Sequence, residues 1–419
     1  MKRVLIIDYH FPPINNINAR RFGGMVSHMP EFGWEPIVLT TKSKGSLPVL
    51  IPEKNIIRLG ENYYDEKKII ASNQGYKGIP KVLKVPYFFY KTFGAELSSV
   101  DRFIFQWGKE VMKNKEAIKK RNFDLIIASC YPPVAIWLGK FLSKETKKPW
   151  LADLQDPLSL WNNSKFPLFK LLDRKIDKFL IRNTAAVLTI SSHLASRMEN
   201  LYHKPVEIIY NGFDKADDFK SLKRNILRKR KIKKLYYAGR FHEHRMPAVK
   251  LLIDWLAESD KKNVLFSLRS LGPMTANEEI IKYAKKKDVF EKIKLLPPAS
   301  PEIIFREEKE ADILILFEDL EKKMQNSEGT LPGKLMEYLP FRAPIVAINR
   351  SDSEIEKVLK ETSRGYLVSN PEQLNGVMEK IFNNSEPKFN WNKVKVYSRR
   401  SQSENLCKIL DKTYEGRNF

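Results

Sequence analysis

Short apolar blocks recur along the chain with longer amphipathic stretches between them, the pattern of strands alternating with helices in a parallel sheet. Blocks at residues 2–8, 36–40, 123–129, 150–153, 186–191 and 206–210 predict the strands of one Rossmann-like domain. A second series at residues 235–238, 264–268, 293–296, 312–317, 344–348 and 365–368 predicts another of the same type. Phe22, Met25, Val26 and Met29 fall at i, i+3, i+4 and i+7, so the segment after Asn18 reads as a helix laid on the first sheet.

A length of 419 residues exceeds what one hydrophobic core usually supports, which agrees with two domains. Residues 220–234 hold nine basic side chains and no acidic one, which places the interdomain linker there. The division is a first domain over 1–213, a basic linker over 214–233 and a second domain over 234–390. A helical segment over 391–419 is expected to pack back toward the first domain.

The apolar blocks are far shorter than the roughly 20 residues a membrane helix needs. The apolar part of the start is too short for a signal peptide. A cytoplasmic protein is expected. Cys130 and Cys407 are too few and too far apart for a disulfide framework or a structural zinc site. His10, His28, His193, His203, His242 and His244 have no ligand spacing, and no Asp-x-Asp pair is present, so no metal site is predicted.

Charge changes the picture more. Lys and Arg number 74 against 50 Asp and Glu, a net charge of +24. Such a surface attracts nucleic acid, anionic lipid or phosphate-bearing substrates. No helix-turn-helix, zinc or aromatic RNA-binding motif accompanies it, so nucleic acid is not an expected partner. Lys77, Lys81, Lys84 and Lys91 are interleaved with Tyr87-Phe-Phe-Tyr90, Phe93, Phe103, Phe105 and Trp107. That combination suits an anionic inner-membrane surface; for Phe103, Phe105 and Trp107 a place in the core is the alternative.

Ligands of open α/β domains bind beyond the C-terminal ends of the strands. Gly239-Arg240 ends one predicted strand and Arg245 follows five residues on, so two cations whose forked donors match phosphate oxygens project there. The run Gly329-Thr330-Leu331-Pro332-Gly333-Lys334 opens a predicted helix with Pro332 in its first turn, an anion site to which Lys334 adds charge. Glu337, about a turn further, is placed to accept hydrogen bonds from ribose hydroxyls. In the first domain, Asn15, Asn18 and Arg20 follow the first strand, where an acceptor or a phosphate can be held. Asp153 and Asp156 are expected at the mouth of the sheet, binding sugar hydroxyls or orienting an acceptor.

Together Phe11-Pro-Pro13, Phe123-Asp-Leu-Ile-Ile127 with Tyr131-Pro-Pro133, Trp150-Leu-Ala-Asp-Leu-Gln-Asp-Pro157, Ile209-Tyr-Asn-Gly-Phe-Asp214, Tyr237-Ala-Gly-Arg240 and Pro332-Gly-Lys-Leu-Met-Glu-Tyr-Leu339 resemble glycosyltransferase family 4. The likeness is closest to the bacterial members that build capsule and lipopolysaccharide. The motifs run in order from Met1 to about Leu410. The resemblance implies the GT-B fold, two Rossmann-like domains with parallel sheets facing across a cleft. It also implies a UDP- or GDP-sugar donor on the second domain and a glycan or polyprenyl-diphosphate-linked acceptor on the first. Transfer would proceed with retention of configuration and without a metal, and the nucleotide sugar would be a co-substrate rather than a cofactor.

Carried over by motif, Arg240 and Arg245 bind the donor diphosphate and Glu337 the ribose. The family often has a second glutamate seven residues earlier, where Gly329 stands here; Glu328 is one residue out of register. Asn15 to Asn18 replace a glycine-rich loop, Gln155 stands where Arg is frequent, and Arg245 where Lys is usual. Catalytic roles are expected for Arg240, Arg245 and Asp156, and a donor-side role for Glu328. A sugar-nucleotide epimerase and a non-catalytic scaffold of the same architecture are the alternatives.

Overall fold

The computed structural model describes residues 1–62, 102–130, 132–155, 159, 167–214, 232–260, 263–270, 274–321, 329–383 and 389–416. Asp156, Glu328, Tyr131, most of the basic linker and the lysine–aromatic segment before residue 102 lie outside them. The chain divides into two compact units, Met1–Asn211 with Arg399–Phe419, and Gly212–Ser398. The chain thus passes into the second unit two residues before the expected boundary at 213, and it leaves at 398 rather than 390.

The first unit contains β1 (Lys2–Ile7), β2 (Trp34–Lys42), β3 (Ile56–Glu61), β4 (Leu125–Cys130), β5 (Trp150–Leu154), β6 (Ala186–Thr189) and β7 (Val206–Ile208), in sheet order β3-β2-β1-β4-β5-β6-β7. Pairing is parallel, with Lys2 opposite Trp34 and Val4 opposite Leu125. Successive side chains of a strand point to opposite faces. Leu5 and Ile7 accordingly enter one core cluster while Val4 and Ile6 enter the other. Both faces are covered, which is why these strands read as unbroken apolar blocks rather than as alternation. The exception is β3, Ile-Ile-Arg-Leu-Gly-Glu, a half-buried edge strand whose charges hid it from the sequence reading.

The helices of this unit are α1 (Ile17–Met25), α2 (Arg102–Lys113), α3 (Lys115–Lys119), α4 (Val134–Thr146), α5 (Pro167–Ile181) and α6 (Ser192–Tyr202). The Asn16 side chain caps α1 by accepting from the Ala19 N–H at 2.8 Å. The helix stops at Met25, and Met29 sits in a separate 3₁₀ turn closed by Gly33 at φ 85°. The i, i+3, i+4, i+7 stripe is nevertheless buried throughout. Trp107 is also fully buried, edge-on to Tyr9 at 5.1 Å, so it belongs to the core and not to a membrane-facing surface.

The second unit contains β8 (Lys233–Gly239), β9 (Val264–Ser270), β10 (Ile293–Leu296), β11 (Ile313–Phe317), β12 (Ile345–Ile348) and β13 (Gly365–Val368), all parallel, in order β10-β9-β8-β11-β12-β13. Its helices are α7 (Met246–Glu258), α8 (Met274–Lys286), α9 (Pro301–Glu310), α10 (Gly333–Tyr338), α11 (Glu354–Thr362), α12 (Pro371–Phe382) and α13 (Trp391–Val396). The chain winds outward in one direction from β8 and in the other from β11. The boundary between these strands is therefore a topological switch point, where open α/β sheets bind ligands.

The last helix, α14 (Arg399–Glu415), belongs to the first unit. Leu406, Cys407 and Leu410 join Phe22, Met25 and Trp34 in one core cluster. Asp411 takes a hydrogen bond from Trp34 Nε1 at 3.0 Å and an ion pair from Lys2. Ser403 Oγ donates to the Met25 carbonyl at 2.9 Å.

Candidate functional site

At the β8/β11 switch point the second unit brings Arg245 together with the Arg240 backbone and Glu318. Arg240 follows β8 and is exposed. A Cβ on the preceding Gly239 would stand 2.5 Å from the Tyr237 hydroxyl, so only glycine lets that ring fold back under the strand end. The hydroxyl donates to the Arg240 carbonyl at 3.2 Å. Arg245, just ahead of α7, donates to the same carbonyl at 3.0 Å. Its Nη2 lies 2.8 and 3.0 Å from the two oxygens of Glu318, the residue that follows β11. Side-chain exposure is 18% for Arg245 and 9% for Glu318, so this pair is well shielded. Burial pushes the Glu318 carboxyl up, and the Arg245 charge pulls it back.

Glu318 was not among the residues picked out from the sequence. The available signal was the acidic pair Glu318-Asp319 directly after the wholly apolar Ile313-Leu-Ile-Leu-Phe317. A carboxylate at the buried end of such a strand requires a partner.

The Gly329–Lys334 run differs from expectation. Its helix α10 has six residues, with Pro332 at the cap in extended conformation rather than inside the first turn. So short a helix offers little dipole, and the positive charge here comes from side chains. Lys334 Nζ sits between Glu308 at 2.9 Å and Glu337 at 2.7 Å. Burial works against the ammonium charge, and the two carboxylates more than offset it, holding its pKa above the usual lysine range. Glu337 thus enters the site as the partner of Lys334. Thr330 Oγ1 is buried without a hydrogen-bond partner among the described residues. Tyr237 ties the two groups together, since its hydroxyl lies within electrostatic reach of Arg245, Glu318 and Lys334.

His242 and His244 stack beside these cations, with ring centroids 5.5 Å apart. Burial and then the Arg245 charge push the His244 pKa down to about 4, which keeps that ring neutral at neutral pH. Among the described residues no three His, Cys, Asp or Glu side chains are grouped to hold a metal ion.

The first-domain residues are sorted differently. Asn15 accepts from Arg20 Nη2 at 3.0 Å on the surface, and Asn18 lies half-buried in the first turn of α1. Asp153 does not reach the sheet mouth as expected: it is fully buried on β5. One of its oxygens takes Arg21 Nη2 at 2.6 Å; the other takes Arg21 Nε at 3.1 Å and Ser129 Oγ at 2.9 Å. Arg21 also donates to the Ile209 carbonyl at 2.7 Å and to Asn211 Oδ1 at 3.0 Å. This network fastens α1 to β5 and to the chain leaving β7. Close by, Asp8 at the end of β1 is buried, with Oδ2 unpartnered among the described residues. Burial lifts its pKa well above the ordinary carboxylate range, and the nearby Asp153 charge adds to that.

Two Rossmann-like units with wholly parallel sheets define the GT-B architecture, and solved structures of that class share it. Sucrose-phosphate synthase from Thermosynechococcus elongatus superposes with a TM-score of 0.63 at 12% identity, over 99% of this chain and 100% of that one. HepE of Anabaena, in a complex with UDP and glucose, gives a TM-score of 0.55 at 14% identity, over 100% and 99%. The lipopolysaccharide outer core galactosyltransferase WaaB in its apo form gives 0.59 at 12%, over 98% and 99%. No protein-family model and no curated sequence matches the chain.

Proposed function

We propose that this chain is a retaining glycosyltransferase that moves a sugar from a nucleotide-diphosphate sugar to a glycan or polyprenyl-diphosphate-linked acceptor. The product would be a bacterial surface polysaccharide such as capsule or lipopolysaccharide. The observation that carries the reading is the position of Arg240 and Arg245 at the β8/β11 switch point, with Arg245 and Lys334 both within electrostatic reach of the Tyr237 hydroxyl. The likeness to family 4 motifs, and to solved structures in which HepE holds UDP, supports a UDP- or GDP-sugar as donor.

In this reading the bond between the anomeric carbon and the diphosphate breaks, and negative charge develops on the departing phosphate oxygen. Arg240 and Arg245 stabilise that charge. The departing phosphate takes the proton of the acceptor hydroxyl, which then bonds to the anomeric carbon on the same face. Gly239 and the segment Thr330, Leu331, Pro332 and Gly333 line the donor, with Lys334 and Glu337 at the ribose. Asn15, Asn18 and Arg20 meet the acceptor, and Asp156 orients it. Glu328 serves the donor sugar. The side chains supply the positive charge in place of a metal ion, and the enzyme works at the inner face of the plasma membrane.

Calorimetric titration with UDP and GDP tests the donor site directly. Micromolar binding of one of them that is lost in Arg240→Ala and Glu337→Ala supports the reading. Unchanged affinity in both variants sinks the assignment.

A further inference from the structure

Among the described residues the outer face of α5 is left exposed, and its composition is distinctive. At 3.6 residues per turn, Arg174, Lys178, Leu171, Arg182, Lys175, Phe179 and Leu172 follow one another around an arc of roughly 160°. All seven are exposed, Arg182 lying one residue past the helix end. The apolar members are the largest anomaly, with exposures of 50% for Leu171, 44% for Leu172 and 63% for Phe179. The arc contains four cations and no acid, although α5 carries two: Asp173 is half-buried on the inner side, and Asp177 is buried there, accepting from the Ser159 N–H at 2.9 Å. Lys140 of α4 adds a fifth positive charge, its Nζ 3.6 Å from the centre of the Phe179 ring.

The helix is held firmly from beneath. Leu180 and Ile181 belong to the core of the first unit, and Lys204 Nζ closes the C-terminal end by donating to the Arg182 carbonyl at 2.7 Å and the Thr184 carbonyl at 3.2 Å. A fixed helix that presents leucine and phenylalanine among lysines and arginines has the chemistry of an interfacial helix. Its apolar side chains enter the acyl boundary while its cations meet lipid phosphates. A soluble anionic partner would match the charge but would give no reason for three large apolar side chains in water.

The geometry points to α5 as the surface by which this protein docks on an anionic lipid bilayer, with Leu171, Leu172 and Phe179 inserted and Arg174, Lys175, Lys178 and Arg182 on the headgroups. This deepens the membrane placement proposed above by naming the surface, and it requires nothing of the donor chemistry.

Co-sedimentation of the full chain with vesicles tests it, using phosphatidylcholine alone and phosphatidylcholine mixed with phosphatidylglycerol, without nucleotide or acceptor. Binding is expected only with the anionic lipid, and it should fall as salt rises. Each charge lost should weaken partitioning about fivefold, so Lys175→Glu with Lys178→Glu should reduce it far beyond tenfold. Leu171→Ser with Phe179→Ser should abolish binding at unchanged charge; both sites are exposed, and circular dichroism checks that the fold persists. In Phe179→Trp, the new indole should shift its emission to the blue on anionic vesicles. Lys286→Glu with Lys380→Glu, exposed lysines of the second unit, should retain most of the binding.

Equal losses in the two lysine pairs would show that the net charge acts diffusely and overturn the proposal. So would full binding by the serine variant, which would identify a polyanion rather than a bilayer as the partner, or no binding to either vesicle. Because UDP titration without vesicles reads the donor site alone, the two readings fail separately.

Discussion

Arg245 Nη2 stands 2.8 and 3.0 Å from the two carboxylate oxygens of Glu318, so the cation beside β8 is matched by an anion from the end of the neighbouring strand. Removing one member of a shielded pair leaves an uncompensated charge, at a cost of about 3–5 kcal/mol. Glu318→Ala is therefore expected to melt well below the native protein. A bound nucleoside diphosphate would supply the missing negative charge, so UDP or GDP should raise the melting temperature of the variant more than that of the native chain. Equal rises would mean that Arg245 does not meet the diphosphate.

Arg240 has no such tie. Its exposed guanidinium can be removed at little structural expense, and Arg240→Ala should alter stability by no more than about 0.5 kcal/mol. Its effect should instead appear as at least a tenfold weakening of nucleoside diphosphate binding, measured by calorimetry. Retained affinity would return Arg240 to the ordinary surface.

Asp153 and Arg21 should show the opposite division. Arg21→Met strips a buried carboxylate of its cation, and about 3–5 kcal/mol of stability should be lost, read from the urea midpoint at constant slope. Nucleotide affinity per folded molecule should not change. A stable variant with a weakened acceptor response would place the pair in substrate binding.

The buried Asp8 makes stability depend on pH. Its folded-state pKa is raised above the ordinary 3.8, so over that window the native state keeps a proton which the unfolded chain has released. Its contribution is therefore fully present below about pH 4 and declines as pH rises toward the raised folded value. Asp8→Asn, which mimics the protonated acid, should gain on the native protein over the same range. Urea unfolding across pH decides it: a difference that stays flat contradicts a protonated Asp8.

Chelation bears on the electrostatics of the donor site. With Arg240 and Arg245 placed at the departing phosphate, exhaustive EDTA treatment should leave turnover unchanged. Loss of activity restored by magnesium or manganese would show that these cations are insufficient.

The apolar blocks were legible because strands covered on both faces must be apolar at every position. Each predicted block coincides with an observed strand, and among the described residues only β3, charged and half-exposed at the edge, escaped notice. The site was read less evenly. Arg240 and Arg245 could be placed because their position after a strand is a matter of local sequence. The partner of Arg245 lies 73 residues away, and only the fold brings it near. Asp153 misled for the same reason: an aspartate at a strand end looks available until Arg21, 132 residues away in sequence, is seen to occupy it.

The position of α14 has a further consequence for how this protein is made. The helix that completes the first unit follows the second unit in the chain, so Leu406, Cys407 and Leu410 cover Phe22 and Met25 only after the whole second unit has been translated. The first unit therefore leaves the ribosome with part of its core open, and must wait in that state while the other is built. A chain interrupted between Ser398 and Leu406 would carry a complete second unit and a first unit with an open apolar face, so such a truncation should produce aggregation rather than a trimmed, working protein.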